Sequence, residues 1–317
     1  MNHMSRYKIC IIGLGSIGSQ HILNLVEVLQ KRNTGFTIDL LRSGFGAEPD
    51  SQLTKWISNI YYDAKTMPND YDIVFITNPT SLHYCTIADF AWKSRNMFIE
   101  KPVFSESSVD LSFLNLRPTG TYYVACPLRH TKVIQYLKGY IQSTKVYSAR
   151  VICSSYLPEW RPFTDYRKSY SAKREQGGGV SIDLIHEWDY LYYLFGKPRS
   201  VLNIRGTFSD LEITSDDLSV YIAEYDHMLV EVHLDYFGRV PVREIELYGP
   251  EDKIKGDLVH NQVQFLKIGQ VVEFEDSRRC YQMRELEYFF DILEGKAENH
   301  NDLATALEVL KITEGRI

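Results

Sequence analysis

Tyr7-Lys-Ile-Cys-Ile-Ile-Gly13-Leu-Gly15-Ser16-Ile17-Gly18 is the stretch whose reading decides the fold. A short apolar run suited to a buried parallel strand passes directly into three glycines. Their spacing fits a dinucleotide-binding turn. The first glycine makes the turn, the second lets the backbone approach a pyrophosphate, and the third allows close helix–strand packing. A helical pattern follows to about Lys31, with Ile17, His21, Leu25 and Leu29 on one stripe. Alone, the triplet could be a glycine-rich turn. With a strand before it and a helix after it, Gly13, Gly15, Ser16, Ile17 and Gly18 read as a nucleotide cradle.

Working outward, a second strand over 36–41 ends in Arg42-Ser43-Gly44. An NAD-preferring site places an acid near that end for the ribose 2′-hydroxyl, whereas Asp39 falls inside the strand. A guanidinium and a hydroxyl suit a 2′-phosphate, so Arg42 and Ser43 favour NADP over NAD. The alternative is an exposed loop arginine. A short helix over 51–58 and a weak strand around Ile60 come next. The buried strand 71–76 ends in Thr77-Asn78-Pro79, a helix runs over 82–95, and the strand 96–99 ends in Glu100-Lys101-Pro102. Both ends lie where open α/β sheets bind ligands. Pro102 biases Lys101 to an extended conformation, which sets it apart from an ordinary solvated lysine. Residues 122–126 complete the first sheet.

From Lys145 the pattern changes to successive strands, over 146–156, 200–208, 218–225, 228–236 and 242–248. Asp226-His227 and Phe237-Gly238-Arg239 read as hairpin turns, and helices over 281–293 and 302–313 close the chain. The reading is an α/β Rossmann domain over 1–124 and an α+β domain over 125–317 with a large, open, mostly antiparallel sheet. The C-terminal helices are free to dock back on the first domain. One segment interrupts the second pattern: Gly177-Gly178-Gly179, then a helix that Ser181 could cap and Gly196 could end. Asp183 and His186, three apart, share one face of that helix, with Tyr190 a turn further on. A core histidine paired with an acid is one reading, and an acid–base pair reached through a glycine-lined gap is the other.

Composition narrows the classes. A net charge of −6 argues against general affinity for nucleic acid or anionic membrane, and no apolar run approaches a membrane span. The five cysteines are scattered, without metal-ligand or disulfide spacing. They read as free thiols in a reducing cytoplasm, and the N-terminus reads as a strand rather than an export signal. No metal site is expected.

Taken together, these residues resemble one family: the glucose–fructose oxidoreductase, inositol dehydrogenase and MocA group (Gfo/Idh/MocA) of NAD(P)-dependent oxidoreductases. The resemblance rests on the order of Gly13-x-Gly15-x-x-Gly18, Thr77-Asn78-Pro79 with His83 four beyond the proline, Glu100-Lys101-Pro102, Arg129, the glycine triplet with Asp183 and His186, and the closing helices. It implies an active site between the two domains and a sheet whose outer face serves oligomerisation, as a homodimer or tetramer. It also implies that Thr77, Asn78, Pro79, His83, Glu100 and Lys101 join the cofactor site. The catalytic set it implies is Lys101, Asp183 and His186: His186 as base, Asp183 orienting it or binding a neighbouring hydroxyl, and Lys101 on the reacting oxygen. The family's common spacing is Asp-x-Gly-x-His, four apart. The shorter Asp183-Leu-Ile-His186, followed by Glu187 and Asp189, resembles the branch found in bacterial surface-sugar biosynthesis, as does the stretch 166–173. The implied substrate is a sugar or nucleotide sugar, with Arg129, Tyr166, Arg167 and Tyr170 as substrate contacts or, alternatively, structural loop residues. Two other readings stay open: a non-catalytic NAD(P)-binding sensor, and a reductase of a non-sugar substrate.

Overall fold

Ile9, Cys10 and Ile11 are fully buried, because their strand lies inside a six-stranded sheet. In the computed structural model, which describes residues 6–45, 48–161 and 163–317, the first sheet is built from β1 (Arg6–Ile12), β2 (Gly35–Leu41), β3 (Ile57–Tyr61), β4 (Ile73–Ile76), β5 (Asn96–Ile99) and β6 (Thr121–Val124). Its spatial order is β3-β2-β1-β4-β5-β6, with every pair parallel. Ile9 is opposite both Ile38 and Ile73. The winding reverses between β1 and β4, so the crevice for a ligand opens at the carboxyl ends of those strands. The intervening helices are α1 (Ser16–Lys31), α2 (Ser51–Thr54) and α3 (His83–Phe90). The two helices expected over 51–58 and 82–95 are therefore shorter. β3 begins at Ile57, three residues after α2 ends, and α3 gives way to turns after Phe90.

The second sheet follows α4 (Lys132–Ser143). It comprises β7 (Ser148–Tyr156), then, after α5 (Val180–Asp183) and α6 (His186–Phe195), β8 (Ser200–Gly206), β9 (Leu218–Glu224), β10 (Leu229–Asp235), β11 (Phe237–Tyr248), β12 (Lys253–Asp257), β13 (Gln262–Phe265) and β14 (Gln270–Glu273). The order is β14-β13-β12-β11-β7-β10-β9-β8, antiparallel except for the parallel β7–β10 pair. Asp226-His227 is a hairpin turn as expected, with Leu229 opposite Glu224. Phe237-Gly238-Arg239 is not. It opens β11, and β7 lies between β10 and β11. The cause is local: Asp235 Oδ1 accepts the amides of Phe237 (3.0 Å) and Gly238 (2.8 Å) and the hydroxyl of Ser154 (3.0 Å), which pins the chain against β7. Gly238 has no room for a side chain there, because a Cβ would strike Ser154 Oγ.

The helices α7 (Arg278–Leu293) and α8 (Leu303–Thr313) end the chain. It divides into two compact units, residues up to Ala125 with Arg278–Leu307, and Cys126–Ser277 with Glu308–Ile317. Physical contacts explain why α7 joins the first unit. Phe289 is fully buried against Phe75, Phe98 and Tyr123, and Arg32 reaches Asp291 at 2.6 Å and Glu294 at 2.9 Å. Burying one such aromatic ring stabilises the unit by roughly 1.5–3 kcal/mol. Among the described residues no helix is long and apolar enough to cross a membrane.

Candidate active site

The first unit builds a cradle at the start of α1. Gly13 has φ +92°, and a Cβ there would lie 2.9 Å from the backbone of Asn78, so the turn accepts only glycine. Gly18 packs on Gly13 and on Thr77 Oγ1, which lies 2.7 Å from where a Cβ would be. Gly15 differs from both: nothing lies within 4 Å of its would-be Cβ. It also caps the 16-residue α1 without any side-chain hydrogen bond, and no acid occupies the first turn. An uncapped helix start beside open space fits a pyrophosphate, which the N-terminal amides and the helix dipole favour. The residues present therefore fit a dinucleotide. Thr77 supports the turn, with its hydroxyl donating to Ile12 O and Gly13 O, and Asn78 Nδ2 donates to Thr86.

At the end of β2, Asp39 is buried and taken by Asn59 Nδ2 and Tyr71 OH, both at 2.8 Å. It is a structural acid. Arg42 is buried and forms a 2.7 Å ion pair with the exposed Glu48, while Ser43 Oγ accepts the amide of Phe45. Glu48 belongs to no motif that would single it out in the sequence.

At the end of β5, Glu100 Oε1 lies 2.6 Å from Nε2 of His21, and Oε2 accepts the Lys101 amide at 3.3 Å. Burial works against this carboxylate's charge, but the His21 hydrogen bond and the charges of His21, Lys101 and His83 hold its pKa below the usual range. His83 is almost fully buried, its ring nitrogens facing Val103 O (3.2 Å) and Asn78 O (3.0 Å). Burial pushes its pKa down. That places His83 as a latch between two loops.

In the second unit the expected continuous helix over 181–195 is two helices. α5 ends at Asp183, α6 begins at His186, and the joint is bridged by short-range bonds from Ile185 N to Ile182 O and from Glu187 N to Leu184 O. The tighter turn explains how a three-residue spacing is accommodated. Asp183 is buried, and its Oδ2 accepts Tyr236 OH at 2.6 Å. Burial and this carboxylate's charge raise the pKa of Tyr236, and they act likewise on Tyr170. Both phenols therefore remain donors. His186 is half-buried at the first position of α6, while Glu187 to Leu191 are buried.

Within the glycine triplet, Gly177 is exposed with nothing within 4 Å of its would-be Cβ, whereas the other two are closely packed. A Cβ on Gly178 would strike Tyr170 O, and one on Gly179 would lie 2.5 Å from Asp216 Oδ1. Asp216 in turn accepts the amide (3.1 Å) and hydroxyl (3.0 Å) of Ser181, and its own carbonyl accepts Val180 N. Gly178 and Gly179 form a close-packed entry to α5.

The remaining expected contacts have other commitments. Arg129 is buried in a bidentate pair with Asp189, at 2.8 and 2.7 Å. Arg167 is paired with Asp165 (2.8 Å) and Glu212 (3.3 Å), and Tyr166 OH accepts the Glu212 amide. Glu187, fully buried, lies 2.8 Å from Arg243 Nε, which also donates to Cys153 Sγ at 3.3 Å. Burial, then the Glu187 charge, push the Cys153 thiol up to about 12. Two acids in the first turn of α6 are thus each held by an arginine from elsewhere in the unit. Sequence spacing signalled the acids but not their partners.

Comparison with known proteins adds two kinds of finding. Residues 7–111 match a family described as "Oxidoreductase family, NAD-binding Rossmann fold", and residues 151–236 match its companion, "Oxidoreductase family, C-terminal alpha/beta domain". The uncharacterized oxidoreductase YrbE of Bacillus subtilis is 25% identical over 199 residues, which span 62% of this chain and 56% of that protein. Among solved structures, a levoglucosan dehydrogenase in complex with NADH and levoglucosan superposes with a TM-score of 0.81 at 17% identity, covering 98% of this chain and 96% of that one. The WlbA dehydrogenase from Bordetella pertussis, in complex with NADH and UDP-GlcNAcA, gives 0.77 at 16% identity, covering 98% and 95%. A UDP-N-acetylglucosamine 3-dehydrogenase from Acidithiobacillus ferrooxidans gives 0.77 at 15%, covering 99% and 97%. At these identities the structures speak to the fold.

Proposed function

This chain belongs to the Gfo/Idh/MocA oxidoreductase family, and on that premise we propose that it moves a hydride between a nicotinamide and a carbinol or ketone carbon of a sugar or nucleotide sugar. The observation that carries the reading is the polar group at the α5–α6 joint, where a buried Asp183 is held by Tyr236 and a half-buried His186 opens α6. A purely structural acid–histidine pair gives no reason to keep the histidine partly open. The substrate class is supported by the similar dehydrogenases, one bound to levoglucosan, one bound to UDP-GlcNAcA and one a UDP-N-acetylglucosamine 3-dehydrogenase.

The bound dinucleotide supplies the hydride acceptor or donor. As a hydride leaves the carbinol carbon, the hydroxyl proton must leave oxygen, and His186 takes it. An imidazole suits that task because it titrates near neutral pH. Asp183, already oriented by phenol donors, accepts a hydrogen bond from the imidazole or from a neighbouring sugar hydroxyl. Lys101 donates to the reacting oxygen and, in the reductive direction, polarises the carbonyl. Gly13, Gly15 and Gly18 with the start of α1 hold the pyrophosphate. Arg42 and Ser43 receive a 2′-phosphate, which makes NADP the favoured cofactor, and the engagement of Asp39 by Asn59 and Tyr71 supports that choice.

The same reading makes the protein a cytoplasmic homo-oligomer. Cys10, Cys85 and Cys153 are free thiols, which suits a reducing compartment. On β8, β9 and β10 one face of the sheet carries the exposed Leu202, Ile204, Ile222 and Leu229, an apolar patch of the kind that marks association. Ile222→Lys, judged by sedimentation, should shift the protein towards monomer.

The central test uses Lys101→Ala and His186→Ala in protein that still folds and binds NADPH. Against a substrate found by screening sugars and nucleotide sugars, each should lose about 10²-fold or more in kcat. Turnover within a fewfold of wild type in both would overturn the assignment.

A further inference from the structure

We propose that His21 and Glu100 form a buried positioning pair that keeps a fixed negative charge behind Lys101, linking the first helix of the dinucleotide cradle to the lysine of the reaction. The inference deepens the reading above and rests on its placement of Lys101 at the reacting oxygen.

Among the described residues His21 has one hydrogen-bond partner. His21 lies one turn beyond Gly18 on α1, with 3% of its side chain exposed, and its Nε2 meets Glu100 Oε1 at 2.6 Å. Its other nitrogen, Nδ1, is buried without a hydrogen-bond partner among the described residues. The ring packs against both Phe75 and Phe98, at centroid distances of 5.8 and 5.1 Å. With Nδ1 unpartnered, the hydrogen bond the ring makes is the one from its Nε2–H to the carboxylate. Glu100 then keeps the negative charge itself.

Three titratable groups face that carboxylate: His21 from α1, His83 from α3 and Lys101 beside it in the chain. His83 is driven towards its neutral form by burial, so Lys101 is the lasting countercharge. Oε2 also accepts the Lys101 amide at 3.3 Å, tying the carboxylate to the backbone that carries the lysine. A buried anion near an ammonium favours the protonated amine, and the Lys101 charge acts on the Glu100 carboxylate. His21 acts at one remove. It does not touch the reacting atoms; it orients the carboxylate and stabilises its charge.

The test reads Lys101 directly. The full-length protein is labelled with acetic anhydride at pH 8, and acetylation of Lys101 is followed by mass spectrometry against the exposed lysines as internal standard. Glu100→Gln removes the charge but keeps the shape, and labelling of Lys101 should become about tenfold faster. His21→Leu should move it the same way. His21→Gln, whose amide nitrogen reaches the Nε2 position, should restore wild-type labelling. If His21→Leu does not fold, His21→Asn replaces it, because its amide stops short of Glu100. Unchanged labelling in folded Glu100→Gln and His21→Asn overturns the proposal. The faster labelling together with full turnover in Lys101→Ala would leave the pair standing and sink the catalytic placement of Lys101 instead.

Discussion

Arg243→Leu isolates the charge that anchors the start of α6. In the native protein Glu187 has no exposed side-chain surface, whereas 27% of the Arg243 side chain is open to solvent, with Nε 2.8 Å from Oε1. The two members are therefore unequal. Without Glu187, the guanidinium can turn towards water. Without Arg243, the carboxylate has no such route and must remain ionised in a buried place or take up a proton. Breaking a buried pair from the side that leaves the charge enclosed costs about 3–5 kcal/mol, and that is the loss expected for Arg243→Leu near pH 8. Glu187→Leu should cost clearly less, and the double variant should recover much of the difference. The pH dependence follows from linkage. In Arg243→Leu the folded-state pKa of Glu187 rises above its unfolded value, so the folded protein binds the proton more tightly. Stability relative to wild type is then best preserved in acid. It declines by up to about 1.4 kcal/mol per pH unit as pH rises from the unfolded pKa to the folded one, then levels off. Urea unfolding followed by circular dichroism at pH 5.5, 7 and 8.5 gives both the size and the slope. A loss as small as that of Glu187→Leu, or one flat across this range, would refute the reasoning.

Two further expectations concern the cofactor unit. Gly15→Ala should unfold at the wild-type temperature, since its Cβ meets no atom within 4 Å, yet bind NADPH much more weakly because the methyl group occupies the cradle; Gly18→Ala, pressed on Gly13 and Thr77, should lose stability as well. Thermal melts paired with fluorescence titration separate the two, and tight NADPH binding by Gly15→Ala would place the pyrophosphate elsewhere. Glu48→Gln should tighten NADPH binding by up to about fivefold and leave NADH little changed. The Arg42–Glu48 pair has one well-exposed partner, 74% of the Glu48 side chain, and such a pair is worth about 0–1 kcal/mol. Weaker NADPH binding in that variant would count against Arg42 as the phosphate contact.

Legibility in the sequence followed the range of the interaction. The glycine spacing after β1 is local, and it specified a turn, a helix start and, with the apolar runs that follow, the whole parallel sheet. The alternating strands of the second unit were equally readable because each carries its own pattern. The failures share one origin. Phe237-Gly238-Arg239 has the composition of a turn, but Asp235 and Ser154 of another strand fix it as the start of β11. Arg129 gives no sign in the sequence that Asp189, sixty positions away, accepts its Nε and Nη2. The Asp183–His186 spacing was visible, whereas the break between α5 and α6 that sets their directions depends on Asp216 capturing Ser181 and on Tyr236 holding Asp183. A site residue is thus announced by its own type and place, but its freedom to act is decided by distant partners. This is why the buried acids of α6 carry as much information as the histidine between them and α5. Glu187 and Asp189 leave α6 little choice of rotation, because two arginines pin its first turn and with it the position of His186.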